Sequence, residues 1–515
     1  MSPPHSASTH PVSGTSHISA SGQAPCHHQS RKTRVRLNQK HSYMPAISDP
    51  TAAQAPTSRR VLIVVVTLAL SLITTFIAFL VIYDIEPPDA SDMAPVPTAK
   101  TSESGQINPL EKFLTTLQQH PVDAPPPRKK APSATGPSPQ ETVLNNRALV
   151  LKSYEELLQT DPTSWRWPTE TGVSLEDSLN GQLRHLMPVA NLIRVQAGLA
   201  ESISPDESIR TNLSLARFAH GLNNSRGLLI HNMVTAAIQR TAILQLERPL
   251  VLNAISPITL TSVQRELDAL DPSLAAFAET LKAEYLFAAQ AYRAAKGGAP
   301  LQVDARKLNL RGYPEPVRGM LLKPNLTLAT RLDLHRQLIK GLQSSWKSAL
   351  DAHQISRGNL DKIYQSPVRF WLNPNTTGIA FSVLDAQDLQ DSLIRQMGHA
   401  TIHRQVILQV ALRRYEVDHH RLPDDLSELS PAYLSSIPQD PFTDLPMRWN
   451  PGTQVLYSVG VNGSDDGGAF RIPVTIDERD IGQYYWWSKA ASQARDAQRL
   501  APPEESGRPG VPSAR

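Results

Sequence analysis

Cysteine is nearly absent from this sequence. The 515-residue chain has only one, Cys26, so no disulfide can form within the chain. Any folded region must therefore be held together by ordinary packing. Cys26 is followed by His27 and His28, but a structural zinc site needs a further pair of ligands, and no such pair accompanies this cluster. We therefore expect no structural zinc in this part of the chain.

A strong excess of charge is also missing. Lys and Arg outnumber Asp and Glu by only 51 to 47, and much of the excess lies in the N-terminal arm, so we expect no nucleic acid partner. The chain has no glycine-rich loop for phosphate and no dinucleotide-binding fingerprint. His399 and His403 have the spacing of a zinc-protease pair, but Ala400 occupies the position of the catalytic Glu. These features disfavour nucleotide-dependent and zinc-hydrolase chemistry.

The most informative feature that is present is an apolar run at residues 61–83. It contains no charge, Pro or Gly, and a helix of this length is about 34 Å long, enough to cross a bilayer core of about 30 Å. The basic residues before it are Arg31, Lys32, Arg34, Arg36, Lys40, Arg59 and Arg60, and the acidic residues after it are Asp84, Glu86, Asp89 and Asp92. Positive charge is retained in the cytoplasm. The pattern predicts a single-pass helix in a bacterial inner (cytoplasmic) membrane, with the N-terminus in the cytoplasm and the bulk of the chain extracytoplasmic. The lipid bilayer is then the first expected partner.

Composition and hydrophobic periodicity divide the chain into six segments and predict a mainly α fold. They are a disordered cytoplasmic arm at 1–60, the transmembrane helix at 61–83, a Pro-rich linker at 84–140, a helical extracytoplasmic domain at 141–384, a long helix plus a small α+β module at 385–480, and a flexible tail at 481–515. Extended Pro-rich chain covers about 3.1 Å per residue, so we expect the linker to act as a tether that holds the folded region away from the bilayer.

Individual helices are also predicted. Asn108 and Pro109 have the types expected at a helix start, and they begin a short helix within the linker. Further helices are predicted at 206–223, 227–247, 260–270, 274–296, 327–352 and 385–418. The aromatic residues Trp165 and Trp167, and the cluster at 484–487, are predicted to be packing anchors rather than ligand platforms.

The sequence pattern changes after residue 411. A helix end is followed by a Leu-x-x-Leu segment, a Pro-x-Asp-Pro loop and short strands at 447–450, 454–459 and 469–476. The landmark residues are Tyr415, Asp418, Pro423, Asp440-Pro441 and Tyr457-Ser458-x-Gly460. In this order they resemble the soluble domain of the major pseudopilins of type II secretion systems. The resemblance covers roughly residues 400–476, and we recognise no family for the rest of the chain.

The resemblance implies a calcium site. In pseudopilins the Gly/Asp-rich loop holds a calcium ion, and the corresponding residues here are Asn462, Ser464, Asp465 and Asp466. Oxygen side chains in a glycine-rich turn suit a hard cation, which binds oxygen at about 2.3–2.6 Å. The same residue types also suit a solvated hairpin turn without metal. Both interpretations are open at this stage.

The chain also departs from the pseudopilin pattern. A pseudopilin begins with a short basic leader and carries a Glu near the start of its apolar helix, whereas here a 60-residue arm precedes a span without acidic residues. We therefore expect a membrane-anchored, non-catalytic interaction or scaffold component linked to secretion or envelope assembly, with envelope or secretion proteins as partners. The alternative is a membrane-anchored extracytoplasmic hydrolase whose site lies in the helical domain.

Overall fold

The structure is a computed structural model that describes residues 55–94, 108–122, 144, 147–168, 183–201, 203–252, 255–296, 321–470 and 480–500. Most of the predicted arm, the larger part of the predicted linker and the end of the predicted tail lie outside the described residues. So does most of the strand predicted at 469–476. The described residues are mostly helical and include one small antiparallel sheet, which confirms the predicted fold class at this level.

The elements follow one another in this order. The helices are α1 (Ala55–Ile82), α2 (Pro109–Gln119), α3 (Ala148–Leu158), α4 (Leu186–Glu201), α5 (Pro205–Asn223), α6 (Leu229–Leu244), α7 (Glu247–Leu252), α8 (Pro257–Ala269), α9 (Leu274–Lys296), α10 (Pro324–Leu342), α11 (Trp346–Tyr364), α12 (Pro367–Trp371), α13 (Thr376–His419) and α14 (Lys489–Leu500). The strands are β1 (Arg448–Asn450), β2 (Val455–Ser458) and β3 (Ile481–Tyr484), and short 3-10 turns lie at Ser91–Met93, Pro162–Ser164 and Leu426–Leu429.

Helix α1 carries the apolar run. Its segment Val61–Phe79 has a mean hydropathy of 2.7 and is not buried at all, and it is the one stretch in the described part of the chain that is long and apolar enough to cross a membrane. The chain forms two compact units, Met1–Ser71 and Leu72–Arg515, whose boundary falls inside this helix. Every other described element belongs to the second unit.

Helix α13 is the central element of the second unit. It packs against α6, α8, α10 and α11 and against β2 and β3, and its apolar stripe of Leu389, Leu393, Met397, Ala400, Ile407, Ala411 and Tyr415 is buried. The helix starts at Thr376, earlier than the predicted residue 385, and it ends at His419, followed by the cap residue His420, whose φ of 56° is left-handed. The predicted boundary between a helical domain and a C-terminal module therefore falls inside one continuous helix.

The prediction of one helix at 327–352 was wrong, because two helices occupy this range. Helix α10 ends at Leu342 and α11 begins at Trp346. Between them, the hydroxyl of Ser345 accepts a hydrogen bond from the N–H of Ser348 at 3.0 Å. A serine cap satisfies an N–H that a continuous helix would pair internally, so it starts a new helix here.

The linker prediction was wrong for the residues that the structure describes in it. Met93, Phe113 and Leu117 are buried in the same core as the later helices, and the ring of Phe113 meets that of Phe218 edge-on at 5.6 Å between centroids. The short helix predicted there is confirmed as α2, and the Asn108 side chain accepts the Leu110 N–H at 3.2 Å. An amphipathic helix of this kind buries its apolar face, so these parts of the segment belong to the fold rather than to a free tether.

The prediction of a flexible tail from residue 481 was also wrong for residues 481–500. Strand β3 completes an antiparallel sheet of order β1-β2-β3, in which Val455 pairs with Tyr484 and Ser458 with Ile481. Tyr485 and Trp486, like Trp165 and Trp167, are buried in the core. The edge of β2 would otherwise present unpaired backbone groups, and β3 satisfies them.

Candidate functional site

The structure brings the four predicted calcium ligands together in the loop that follows β2. The side-chain oxygen of Asn462 accepts the N–H of Ser464 at 3.0 Å, and its amide nitrogen lies 3.5 Å from an oxygen of Asp466. The carboxylate of Asp465 accepts the N–H of Gly467 at 2.9 Å. Gly467 has a φ of +72°, a conformation that side chains disfavour. The loop is thus shaped by its own side-chain to backbone hydrogen bonds.

Asp480 anchors this loop, and sequence analysis missed it. Its buried carboxylate accepts the N–H groups of Gly468 at 2.8 Å and Asp466 at 3.4 Å. Burial raises the pKa of Asp480, those two N–H groups lower it, and the nearby charges of Asp466 and Asp465 raise it. The residue was overlooked because the third strand was predicted at 469–476, whereas β3 begins directly after Asp480.

Arg448 neutralises one of the negative charges of the loop. Its guanidinium lies 2.5 Å from Asp465, so the arginine competes with any cation for that carboxylate. The described part of the chain contains no group of three or more His, Cys, Asp or Glu side chains arranged to hold a metal ion. The donor types suit a hard cation, but most of the oxygens are already engaged, so calcium binding stays a prediction.

The landmark residues of the pseudopilin resemblance form hydrogen bonds that connect separate segments of the C-terminal region. Asp440 is buried and accepts hydrogen bonds from the hydroxyl of Ser458 at 2.7 Å and the N–H groups of Phe442 at 2.9 Å and Val459 at 3.2 Å. Two further landmarks make bonds of the same kind. Asp418 accepts the hydroxyl of Tyr433 at 2.8 Å, and the carbonyl of Pro423 accepts the indole N–H of Trp449 at 3.0 Å.

The paired histidines of α13 lie in the core. His403 is bonded through Nε2 to the carbonyl of Leu267 at 2.8 Å, while neither ring nitrogen of His399 has a hydrogen-bond partner among the described residues. Burial, together with the neighbouring His403, lowers the pKa of His399 to about 3. The two imidazoles therefore lie in the core as neutral groups, and His403 joins α13 to α8.

A groove of about 960 Å³ forms a second candidate site, and we call it the arginine groove. It lies between α4, α5, the α6–α7 junction and α14, and its charged lining residues are Arg194, Glu201, Glu247, Arg248, Arg495 and Asp496. Because these residues are up to 302 positions apart in the chain, no local motif could have identified them.

Two of the three arginines are already paired. Arg248 lies 2.8 Å from Glu201, and Arg495 lies 2.5 Å from Glu247, which joins α14 to α7. Burial raises the pKa of Glu247, and the hydrogen bond and charge of Arg495 oppose that rise. These two ion pairs form part of the walls of the groove, and each pair has no net charge.

Arg194 is the arginine without an acidic partner among the described residues. Its guanidinium donates to the side-chain oxygen of Asn191 at 2.9 Å. With the amide of Gln245 oriented so that its oxygen faces the guanidinium, Gln245 accepts a second hydrogen bond at 2.8 Å. Partial burial lowers the pKa of Arg194. An exposed guanidinium that is held only by neutral groups is available to pair with an anion.

Asn212 adds an acceptor to the same groove. Its side chain is 2% exposed, and its amide nitrogen donates to the carbonyl of Ser208 at 3.0 Å. Its side-chain oxygen has no hydrogen-bond partner in the described part of the protein. Leaving a buried acceptor unpaired costs about 1–3 kcal/mol, so a ligand that donates a hydrogen bond there would recover that energy.

A smaller cleft of about 350 Å³ lies between α6, α9 and α13 and is lined by Glu284, Asp388, Asp391 and Arg395, among other residues. Burial raises the pKa of Glu284, as for a catalytic acid. However, its carboxylate accepts the N–H of Leu229 at 3.1 Å, which caps the first turn of α6. That contact gives Glu284 a structural role.

Comparisons of the chain with protein-family models, with curated proteins and with solved structures return no match.

Proposed function

We propose that this chain is a single-pass protein of a bacterial inner membrane, with its N-terminus in the cytoplasm, whose extracytoplasmic part is a non-catalytic interaction component. The anchor is supported by the apolar stretch Val61–Phe79. The orientation is supported by the charge asymmetry around it, basic on the N-terminal side and acidic from Asp84 onward. A link to secretion rests on the pseudopilin resemblance alone and is part of the same proposal.

The observation that carries the interaction role is that Arg194 and Asn212 line the same groove. A guanidinium binds a carboxylate through two parallel hydrogen bonds. The oxygen of Asn212 has no partner among the described residues and is available to accept an N–H from a ligand, and Leu244 and Leu252 add apolar wall to the groove. A peptide that has a carboxylate, a backbone N–H and an apolar side chain offers all three complements. We therefore propose a carboxylate-bearing peptide segment of an envelope protein as the ligand.

The groove suits binding better than catalysis. Its described lining residues include neither an imidazole nor a thiol, and both of its glutamates are paired with arginine. The remaining carboxylate of the groove, Asp496, is exposed, and a solvated aspartate is too weak a base to activate the hydroxyl of Ser208 or Ser492. The hydrolase alternative stays a prediction without a site of its own.

The proposal is tested by calorimetric titration of the full chain in lipid nanodiscs. The ligands are a set of hexapeptides, each prepared with a free C-terminal carboxylate and as the C-terminal amide. We expect at least one pair in which the free acid binds tenfold more tightly or better, because only the acid pairs with Arg194. Arg194→Gln should remove that preference, whereas Arg210→Gln should keep it, because Arg210 pairs with Glu207 on α5 and does not line the groove. Equal affinity for acid and amide throughout the set would contradict the proposal.

Calcium binding by the Gly/Asp loop is a separate proposal. Titration of the full chain with calcium should release heat that Asp465→Ala and Asp466→Ala both abolish, because each removes a carboxylate from the loop. Asp424→Ala is the matched control, since the Asp424 side chain is 96% exposed and lies outside the loop. If the unmutated chain gives no heat above dilution, the loop is a metal-free turn.

A further inference from the structure

The chain enters the fold directly after α1. Asp84 is two residues beyond the end of that helix, and its carboxylate accepts the N–H groups of Leu326 at 3.2 Å and Asn325 at 3.4 Å, at the start of α10. The side chain of Asn325 in turn donates to the carbonyl of Ile85 at 2.7 Å. The first turn of α10 is therefore fixed close to the end of α1.

The start of α10 is tied in turn to the start of α13. The backbone N–H of Lys323 donates to the side-chain oxygen of Asn375 at 2.8 Å, and the N–H of Thr377 donates to the carbonyl of Leu321 at 3.2 Å. Asn375 and Thr327 are bonded as well, at 3.0 Å. Asp84 and the N-terminus of α13 thus belong to one hydrogen-bonded cluster.

Helix α12 and the residue that follows it, Leu372, stand immediately before this cluster and expose apolar side chains. Val368 is 68% exposed and Leu372 is 57% exposed, and the N–H of Leu372 donates to the carbonyl of Val368 at 3.1 Å, so the two lie one turn apart. Arg369, between them, is also exposed. Leu372 is three residues from Asn375, which is at most about 11 Å of chain. This apolar pair with its arginine therefore lies close to the point where the chain leaves α1.

We propose that this α12 patch, defined by Val368, Arg369 and Leu372, rests in the headgroup region of the same bilayer that α1 spans. The proposal rests on the membrane anchor proposed above and goes beyond it. Because Asp84 is docked to the fold without an intervening linker, the surface around it cannot move far from the bilayer. Exposed aliphatic side chains are stabilised at the acyl boundary, and an arginine beside them is attracted to anionic lipid headgroups.

Site-specific fluorescence in vesicles that contain anionic lipid tests the proposal. Cys26 is the only cysteine, so the full chain with Cys26→Ser accepts a single new thiol at Val368→Cys for an environment-sensitive dye. We expect a blue-shifted emission and at least a twofold loss of intensity when lipids carry nitroxide groups. Ile258→Cys is the matched control: Ile258 is 83% exposed on α8, and α8 packs on α13 near His403, about 40 Å along that helix from Thr376. Its dye should be neither shifted nor quenched.

The possible outcomes distinguish a failure of the patch proposal from a failure of the anchor proposal. If the protein floats with the vesicles but nitroxide lipids do not quench the dye at Val368→Cys, the patch proposal is overturned and the anchor stands. A blue shift without quenching also overturns it, because another protein or a second copy then covers α12. If the protein does not float with the vesicles, the anchor is overturned, and the patch with it.

Discussion

At the scale of single residues, buried polar groups fix the local structure of the C-terminal region. Asp440 gathers three donors from two different segments of chain, and Asp480 closes the Gly/Asp loop onto the start of β3. A buried carboxylate is tolerated only where donors satisfy it. Asp440 could be selected from the sequence because it stands in a Pro-x-Asp-Pro loop, but its partners could not, since they lie up to 19 residues away.

We predict that Asp440→Ala destabilises the protein by about 3 kcal/mol, because it leaves the Ser458 hydroxyl and two backbone N–H groups buried without an acceptor. Urea denaturation of the full chain in detergent measures the change. Asp424→Ala, a substitution of an exposed carboxylate in the same region, should change the free energy of unfolding by less than about 0.5 kcal/mol. Equal effects of the two substitutions would show that Asp440 does not hold the region together.

Gly221 is a second position where one residue type is required. A Cβ atom placed on it would lie 2.5 Å from the ring of Trp165, which is fully buried against α5. We predict that Gly221→Ala lowers the free energy of unfolding by about 1–3 kcal/mol, the usual cost of overpacking. Gly358→Ala is the control, because its Cβ would meet no atom within 4 Å in the middle of α11. That substitution should be neutral or stabilise by up to about 1 kcal/mol, and a loss as large as that of Gly221→Ala would rule out the steric explanation.

At the scale of secondary-structure elements, periodicity identified the helices and tertiary contacts decided where they end. The helix predicted at 274–296 matches α9 in both bounds, since it has a regular apolar stripe with turn residues on both sides. The helix predicted at 327–352 failed because its apolar spacing continues through Ser345, where a cap starts α11. The tail prediction failed because the pairing of β3 with β2 is a long-range contact, which a local pattern cannot show.

The Ser345 cap gives a prediction at this scale. Its hydroxyl accepts the N–H of Ser348 and lies 2.7 Å from Asp444, so it both starts α11 and ties it to the C-terminal region. Ser345→Ala should destabilise the protein by about 1–2 kcal/mol. The preceding Ser344 is exposed, and no side-chain bond of Ser344 is found among the described residues. Thermal unfolding followed by circular dichroism should show a lower midpoint for Ser345→Ala and an unchanged midpoint for Ser344→Ala; equal midpoints would contradict the capping role.

At the scale of the whole molecule, six histidines of the second unit are buried or partly buried. Burial lowers the pKa of each of these histidines: His220, His231, His335, His353, His399 and His403. In the unfolded chain a histidine takes up a proton below about pH 6.5, whereas the folded state resists protonation. The unfolded state therefore binds more protons in this range, and stability is present above about pH 6.5 and lost as the pH falls.

We predict a steep loss of stability between about pH 6.5 and pH 5. Each fully linked histidine contributes a slope of up to about 1.4 kcal/mol per pH unit. Carboxyl groups whose pKa burial raises, such as Glu284 and Asp385, act in the opposite direction, but only as they take up protons near their own pKa. His399→Phe should reduce the measured slope by up to about 1.4 kcal/mol per pH unit. The exposed His120→Gln should leave the slope unchanged. A free energy of unfolding that is constant over this range would contradict the linkage.

The arrangement of the whole molecule was the least predictable from sequence. The apolar run of α1 is visible as a continuous stretch, because a membrane span is a local property of the chain. The arginine groove is assembled from helices far apart in sequence, and Arg194 differs from other arginines only in the partners that the fold gives it. The direct docking of Asp84 on α10 was likewise hidden, since the acidic residues after α1 also fit a solvated linker.

The most direct test of the anchor is thiol labelling of intact spheroplasts with a membrane-impermeant maleimide. If α1 spans the inner membrane with its N-terminus in the cytoplasm, the native Cys26 is protected until the membrane is lysed, and the thiol of the Cys26→Ser, Ile258→Cys protein is labelled at once. Labelling of Cys26 in intact spheroplasts together with protection of the thiol at Ile258→Cys would contradict the proposed orientation. Protection of both thiols until lysis would contradict the membrane span itself.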